Sequence, residues 1–259
     1  MTDLAGSGPI ASLWRHPVKA FTPERLGGVA LTPGAFFPYD RLYAIEDGPS
    51  GFDPVTPAWL SKQKFTVLAK IAEVARIRTA YDEVTTVLTA VAPDRPRFAG
   101  ALGEPAGRTA FGAWLAEGLG ELASGPLRVV QAPGHRFTDH PRGYVSIVNL
   151  ASVRDLAERI GRPVDPLRFR ANVYVDGWAP WIENAAVGSR VRLGEATAEV
   201  FSPIVRCMAT HVDPATGERD IDLVGALHHH YGHLHCGIYV SVVAGGAVTE
   251  GDPATLAAD

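Results

Sequence analysis

Cys207 is the residue best placed by type to do chemistry. It lies in Ile204-Val205-Arg206-Cys207-Met208-Ala209-Thr210, an apolar, strand-like run with a guanidinium beside the sulfur. A soft thiolate next to a cation suits a nucleophile or a soft-metal ligand. The common alternative is a small, buried, inert cysteine, so the surroundings of Cys207 decide between them. In a strand, Val205, Cys207, Ala209 and His211 share one face and Arg206 takes the other. The run ends at the turn Asp213-Pro214-Ala215-Thr216-Gly217.

A second segment, Arg168-Phe169-Arg170-Ala171-Asn172-Val173-Tyr174-Val175, has period two. As a strand it puts Phe169, Ala171, Val173 and Val175 on one face and Arg168, Arg170 and Asn172 on the other. Two guanidiniums and an amide on one face suit an anion; a solvated sheet face fits the same pattern. His228-His229-His230, His233, His235 and Cys236 are dense but irregular, and match no regular zinc pattern. A solvent- or substrate-facing loop is expected there, without zinc, and Cys236 reads as structural. His135, His140 and Arg142 lie in a polar loop that fits a pocket rim or a surface turn. Trp178 and Trp181 read as core or rim.

Elements must hold these groups. The chain to about Arg97 reads as strands, at Ile10 to Val18, Gly28 to Leu31 and Arg41 to Ile45. A longer one, Phe65 to Thr79, joins Val84–Ala90 through Asp82-Glu83 as a hairpin. Phe111, Trp114, Leu115, Leu119 and Leu122 predict a helix over 108–122, weakened by its glycines. A second helix spans Val153 to Ile160, with Ser152 as N-cap and Gly161 and Pro163 as stop. A strand is expected at Gly237 to Val243.

Composition bounds the function. The 259 residues contain 46% hydrophobic and 20% charged residues, enough for a sizeable core. Twenty prolines and 27 glycines favour short strands joined by turns. The formal net charge of -4 offers no basic field for nucleic acid or an anionic membrane. Two cysteines build no disulfide framework and fit a reducing compartment. Met1 to Pro9 lacks a basic n-region, and no apolar run approaches 18 residues. A soluble, cytoplasmic protein is expected.

The order of five segments resembles the MOSC domain family. They are Trp14-Arg15-His16-Pro17-Val18-Lys19, Tyr39-Asp40-Arg41-Leu42-Tyr43, Arg168 to Val173, Arg206-Cys207 with Val212-Asp213-Pro214 and Thr216-Gly217, and Cys236-Gly237-Ile238-Tyr239 ending in Gly251-Asp252-Pro253. The resemblance runs from about residue 10 to 256. It implies a mainly β fold with some helices, an N-terminal β-barrel-like half (1–100) packed on a MOSC β-barrel half (101–259). A cofactor would lie in the cleft between them.

The chain looks like the molybdenum-cofactor-binding reductases of the mitochondrial amidoxime-reducing component type and their bacterial relatives. That resemblance implies a molybdenum cofactor, Mo-molybdopterin, with Cys207 as the metal's thiolate ligand. It assigns Arg170 and Asn172 to the pterin and Lys19 and Arg41 to its phosphate. Ser146 and Asn149 fall close to the cofactor, although Asn149 equally suits the entry to the second helix. Asp213 is a candidate for proton delivery. Ala20 stands where relatives often have a hydroxyl. No cysteine cluster for an iron–sulfur domain and no membrane anchor are evident. Electrons would come from a separate ferredoxin- or cytochrome b5-like donor with its reductase.

The implied function is reduction of N-oxygenated, N-hydroxylated small molecules. Two alternatives stand beside it: a sulfur carrier or transferase using a Cys207 persulfide, and a non-catalytic molybdenum-cofactor-binding protein.

Overall fold

The computed structural model describes residues 6–93, 95–142 and 145–256. In chain order the strands begin with β1 (Gly6–Arg15), β2 (Glu24–Leu26), β3 (Gly28–Leu31), β4 (Ala44–Asp47), β5 (Arg78–Tyr81), β6 (Val87–Val91) and β7 (Phe98–Ala101). Helix α1 (Pro105–Leu119), β8 (Leu127–Val130), β9 (Val145–Asn149), α2 (Leu150–Ile160) and β10 (Val173–Val175) follow. The chain continues through β11 (Arg190–Leu193), β12 (Ala196–Val205), α3 (Leu223–Tyr231), β13 (His235–Ala244), β14 (Gly246–Thr249) and β15 (Pro253–Leu256). The expected mainly β architecture with a few helices is what forms.

Seven strands close into a barrel in the order β10-β9-β13-β12-β11-β15-β1, with β1 pairing back onto β10. Closure leaves no free edge. β1 manages this by changing partners along its length. Gly6–Pro9 pair with β15, Ile10–Leu13 with β10, and Leu13–Arg15 with β2. Alternating residues point inward, so Val191, Val200, Ile238, Val240 and Leu256 fill the barrel and are fully buried. Each such burial is worth roughly 1.5–3 kcal/mol. β1 comes from the first 15 residues, yet it is a stave of a barrel otherwise built from residues 145–256. The two bodies are therefore interleaved in sequence.

The N-terminal body holds the sheet β5-β6-β7 and the pair β4-β8, with α1 against them. Phe111, Leu115 and Leu119 of α1 are buried with Phe21, Ile45 and Leu88. The glycines that weaken α1 as a sequence reading permit this packing. A Cβ on Gly107 would fall 2.0 Å from the Ala101 carbonyl oxygen.

Several expected boundaries move. Phe65 to Thr79 is not one strand: residues 72–76 form a 3-10 turn, and only Arg78–Tyr81 is extended. Ile71, Val74, Ala75 and Ile77 are all buried there, without the alternation a strand needs. The strand expected from Arg41 starts at Ala44, because Arg41 adopts φ 49°. α1 starts at Pro105, whose missing N–H costs nothing at a first turn. α2 starts at Leu150, capped by Asn149 and not by Ser152. The strand expected over Arg168–Val175 shrinks to Val173–Val175. Its front half is a 3-10 turn, Pro166–Phe169, capped by Asp165 and ended by Arg170 at φ 52°. The Cys207 strand ends at Val205, and a 3-10 turn over Met208–His211 follows.

Candidate functional site

Between the two bodies lies a cavity of about 380 Å³ lined by residues from both, within the range of small-molecule sites. Its N-terminal wall forms because 16–19 and 40–43 are laced together. Arg41 N–H donates to the His16 carbonyl at 2.7 Å, Tyr43 N–H to that of Pro17 at 3.1 Å, and Lys19 N–H to that of Tyr43 at 2.8 Å. Lys19 and Arg41 thereby face the same space. Asp40 steadies this wall by accepting the His16 N–H at 2.7 Å and pairing with Arg41. Burial, followed by the charge of Arg170, drops the His16 imidazole to about 3, so this ring is neutral.

The opposite wall comes from the barrel. Cys207 lies just past β12, half-buried, with its sulfur toward the cavity. Arg206 does turn away from it. Its guanidinium donates to the Cys236 carbonyl at 2.7 Å and to that of Phe169 at 2.7 Å. This clamp ties the Cys207 loop to β13 and to the turn that carries Arg170. Gly237 makes room for it: φ is 84°, and a Cβ there would lie 2.4 Å from the Ile147 carbonyl oxygen and 3.2 Å from the Arg206 guanidinium.

Backbone strain gathers here. Of the six described non-glycine residues with positive φ, Ala20, Arg41 and Arg170 line the cavity. Such conformations cost of order 1–3 kcal/mol each and concentrate at functional sites.

The cavity is cationic. Lys19, Arg41, Lys62, Arg168, Arg170 and Arg206 line it against Asp40 and Asp139. Burial alone would raise the Asp139 carboxyl. The ammoniums of Lys19 and Lys62, with Arg41, hold it well below the usual range. Burial brings the Arg170 guanidinium down to about 10, and Arg41 adds repulsion. Arg41 repels Arg170 across this half-buried space, a setting that an anion would relieve. Lys62 Nζ lies 3.3 Å from the Cys207 sulfur and 3.6 Å from Asp139.

The site residues expected from sequence divide into two groups. Lys19, Arg41, Ser146, Arg170, Asn172 and Cys207 all line this one cavity. Asn172 is nevertheless heavily engaged: Oδ1 accepts from the Ser146 hydroxyl at 2.8 Å and Nδ2 donates to the Trp14 carbonyl at 3.2 Å. It joins β9, β1 and the Arg170 turn, and so helps to hold the wall it lines. Asn149 and Asp213 lie outside the cavity lining. Asn149 caps α2 and donates to the buried Glu183 at 3.0 Å. Asp213 accepts from Arg168 at 2.9 Å and from two backbone N–H groups of its own turn.

Sequence reasoning missed Lys62 and Asp139. Neither sits in a periodic pattern, although Asp139 belongs to the loop read as a possible rim, and Thr138, Asp139 and His140 do line the wall. His233 and His235 stack at 5.4 Å between ring centroids, outside the cavity lining. No group of three or more metal-ligating side chains occurs among the described residues. No described helix is long and apolar enough to cross a membrane.

Comparison with known proteins matches the description MOSC N-terminal beta barrel domain over residues 7–118 and MOSC domain over residues 134–255. Similar curated proteins include the molybdenum cofactor sulfurases of Caenorhabditis briggsae and Caenorhabditis elegans, 36% and 35% identical over 119 residues. These matches take in 45% of this chain but 16% of the length of each relative. The crystal structure of the YUAD protein from Bacillus subtilis aligns over 98% of both chains with 15% identity and a TM-score of 0.46. The chain therefore belongs to the MOSC domain family, with a MOSC N-terminal beta barrel domain preceding the MOSC domain.

Proposed function

We propose that this cavity holds a molybdenum cofactor and that the protein reduces N-oxygenated, N-hydroxylated small molecules. The observation that carries the reading is the pairing of a soft sulfur with an excess of cations in one strained, half-buried cavity. A phosphorylated pyranopterin bearing a soft metal needs those two features together. The relatives named as molybdenum cofactor sulfurases support an association with this cofactor.

The residues divide the work. Arg41, Lys19 and Arg170 would hold the phosphate and the polar ring, since charge-assisted contacts are the strong ones. Cys207 would supply the sulfur ligand. Arg206 fixes the position of Cys207 by gripping two carbonyls. Asn172 and Ser146 keep the wall in register. When bound, the cofactor supplies the two-electron chemistry. The overall reaction, R–NH–OH plus two protons and two electrons to R–NH2 and water, balances with a separate electron-donor protein.

A second reading, a sulfur carrier with a persulfide on Cys207, is favoured by one observation: the sulfur faces an open cavity beside the Lys62 ammonium. Turnover separates the two. Protein loaded in a cofactor-producing host and given a low-potential dye as reductant should convert benzamidoxime to benzamidine. Loaded protein without turnover, alongside labelling of metal-free Cys207 by a persulfide donor (R–S–SH giving Cys–S–SH and the donor's thiol), would favour the carrier.

A further inference from the structure

We propose that Lys62 is a specificity-determining residue that selects N-oxygenated substrates bearing an anionic group, a carboxylate foremost, on an apolar body. The proposal rests on the reading above, in which the chemistry occurs at the sulfur of Cys207.

Lys62 differs from the other cations of the cavity in where it faces. Its side chain is 34% exposed, against 5% for Lys19, 16% for Arg41 and 2% for Arg168. The enclosed cations address what is held inside. Lys62 sits at the mouth, 3.3 Å from the sulfur, and meets whatever approaches that sulfur from solvent.

Its charge is not used up locally. Among the described residues Asp139 is its one carboxylate partner, at 3.6 Å, and Lys19 holds that same carboxylate more closely. Arg41 also acts on Asp139. Two ammoniums thus share one carboxylate, and Lys62 has the longer contact of the two.

The segment that carries Lys62 is held in place rather than loose. Phe52 and Phe65 anchor its two ends, both packed on Phe137 with ring centroids 5.0 and 5.3 Å away. Trp59 Nε1 donates to the Thr138 carbonyl on the cavity wall at 3.1 Å. The same cavity also carries apolar side chains, Val67, Leu68, Pro203 and Val205. An apolar body with an anionic end fits a surface of that kind.

Two measurements test the inference. In cofactor-free protein, Cys207 is the accessible thiol, since Cys236 is fully buried. The ratio of alkylation rates by iodoacetate and iodoacetamide cancels any change in the thiol itself and reads attraction of an anion to the sulfur. Lys62→Met should lower that ratio about tenfold, as expected when one charge-assisted contact is lost, and Lys62→Arg should restore it. In loaded protein, the preference for 4-carboxybenzamidoxime over benzamidoxime, as a ratio of kcat/KM, should fall in the same variant. An unchanged alkylation ratio in Lys62→Met overturns the proposal, as does an unchanged substrate preference. A loaded wild type that reduces neither compound would remove the reductase reading, while the alkylation ratio still decides whether Lys62 draws anions to the sulfur.

Discussion

Replacing Arg170 with leucine separates anion binding from folding. Arg170 ends the 3-10 turn at φ 52°, in a half-buried position, and donates to the Phe21 carbonyl at 2.8 Å. Burial and then Arg41 hold its charge in an unfavourable setting, which an incoming phosphate would relieve. Losing a hydrogen bond to a charged group costs about 1.5–3 kcal/mol. Affinity for pyrophosphate should therefore fall roughly ten- to a hundredfold. Stability should change much less. The lost bond to Phe21 is destabilising, but removal of like-charge crowding with Arg41 acts the other way. Leucine meets the same left-handed backbone as arginine, so that strain is unchanged. Calorimetry with pyrophosphate on cofactor-free protein, beside a melting curve, reads both quantities. Molybdopterin content after expression in a cofactor-producing host gives the corresponding loading. Wild-type pyrophosphate affinity in a folded Arg170→Leu protein would refute the reasoning.

Two further outcomes follow from the geometry. Gly237→Ala should destabilise the fold by more than about 2 kcal/mol, because alanine in a left-handed conformation costs roughly 1–2 kcal/mol and its Cβ would strike the Ile147 carbonyl; a melting temperature equal to wild type would contradict this. Glu183 is fully buried among Ser152 and Asn149, and burial raises its carboxyl above the ordinary 4.5. A raised folded value means stability present below about pH 4.5 and lost as pH rises through the folded value. Denaturant midpoints for wild type should thus decline from pH 4.5 upward by more than those of Glu183→Gln, and parallel profiles would show that Glu183 carries no such linkage.

Much of the site is legible in the chain because its chemistry is carried by distinctive residue types. Cys207 beside Arg206, the Lys19 and Arg41 segments, and Arg170 with Asn172 all reach one cavity, although they are up to 188 positions apart in sequence. The backbone that brings them there is less legible. Ala20, Arg41 and Arg170 take left-handed conformations without being glycine, and no local pattern announces that. Period two in Arg168–Val175 suggested two arginines on one strand face. Both arginines still line the cavity, but the turn at Pro166–Phe169 ties the Arg168 guanidinium to Asp213 and Asp220 and not to a strand face shared with Arg170. Asn149 shows the limit of spacing arguments: a residue close to the site in sequence can be fully occupied by a helix end and a buried carboxylate. Lys62 and Asp139 were invisible because tertiary packing of Phe52, Phe65 and Phe137 places them, and not a local motif.

The central claim is that Cys207 and the surrounding cations hold a molybdenum cofactor, and metal and pterin analysis of paired proteins tests it most directly. Wild type and Cys207→Ser would be expressed in a cofactor-producing host and purified without a histidine tag. Serine replaces a soft sulfur by a hard oxygen and so alters the metal's electronics. The cations of the phosphate end are untouched by that change. Wild type should carry molybdenum and pterin in near-equal amounts, and Cys207→Ser should keep most of the pterin while its molybdenum resonance signal changes. Wild-type protein that carries neither molybdenum nor pterin would contradict the account.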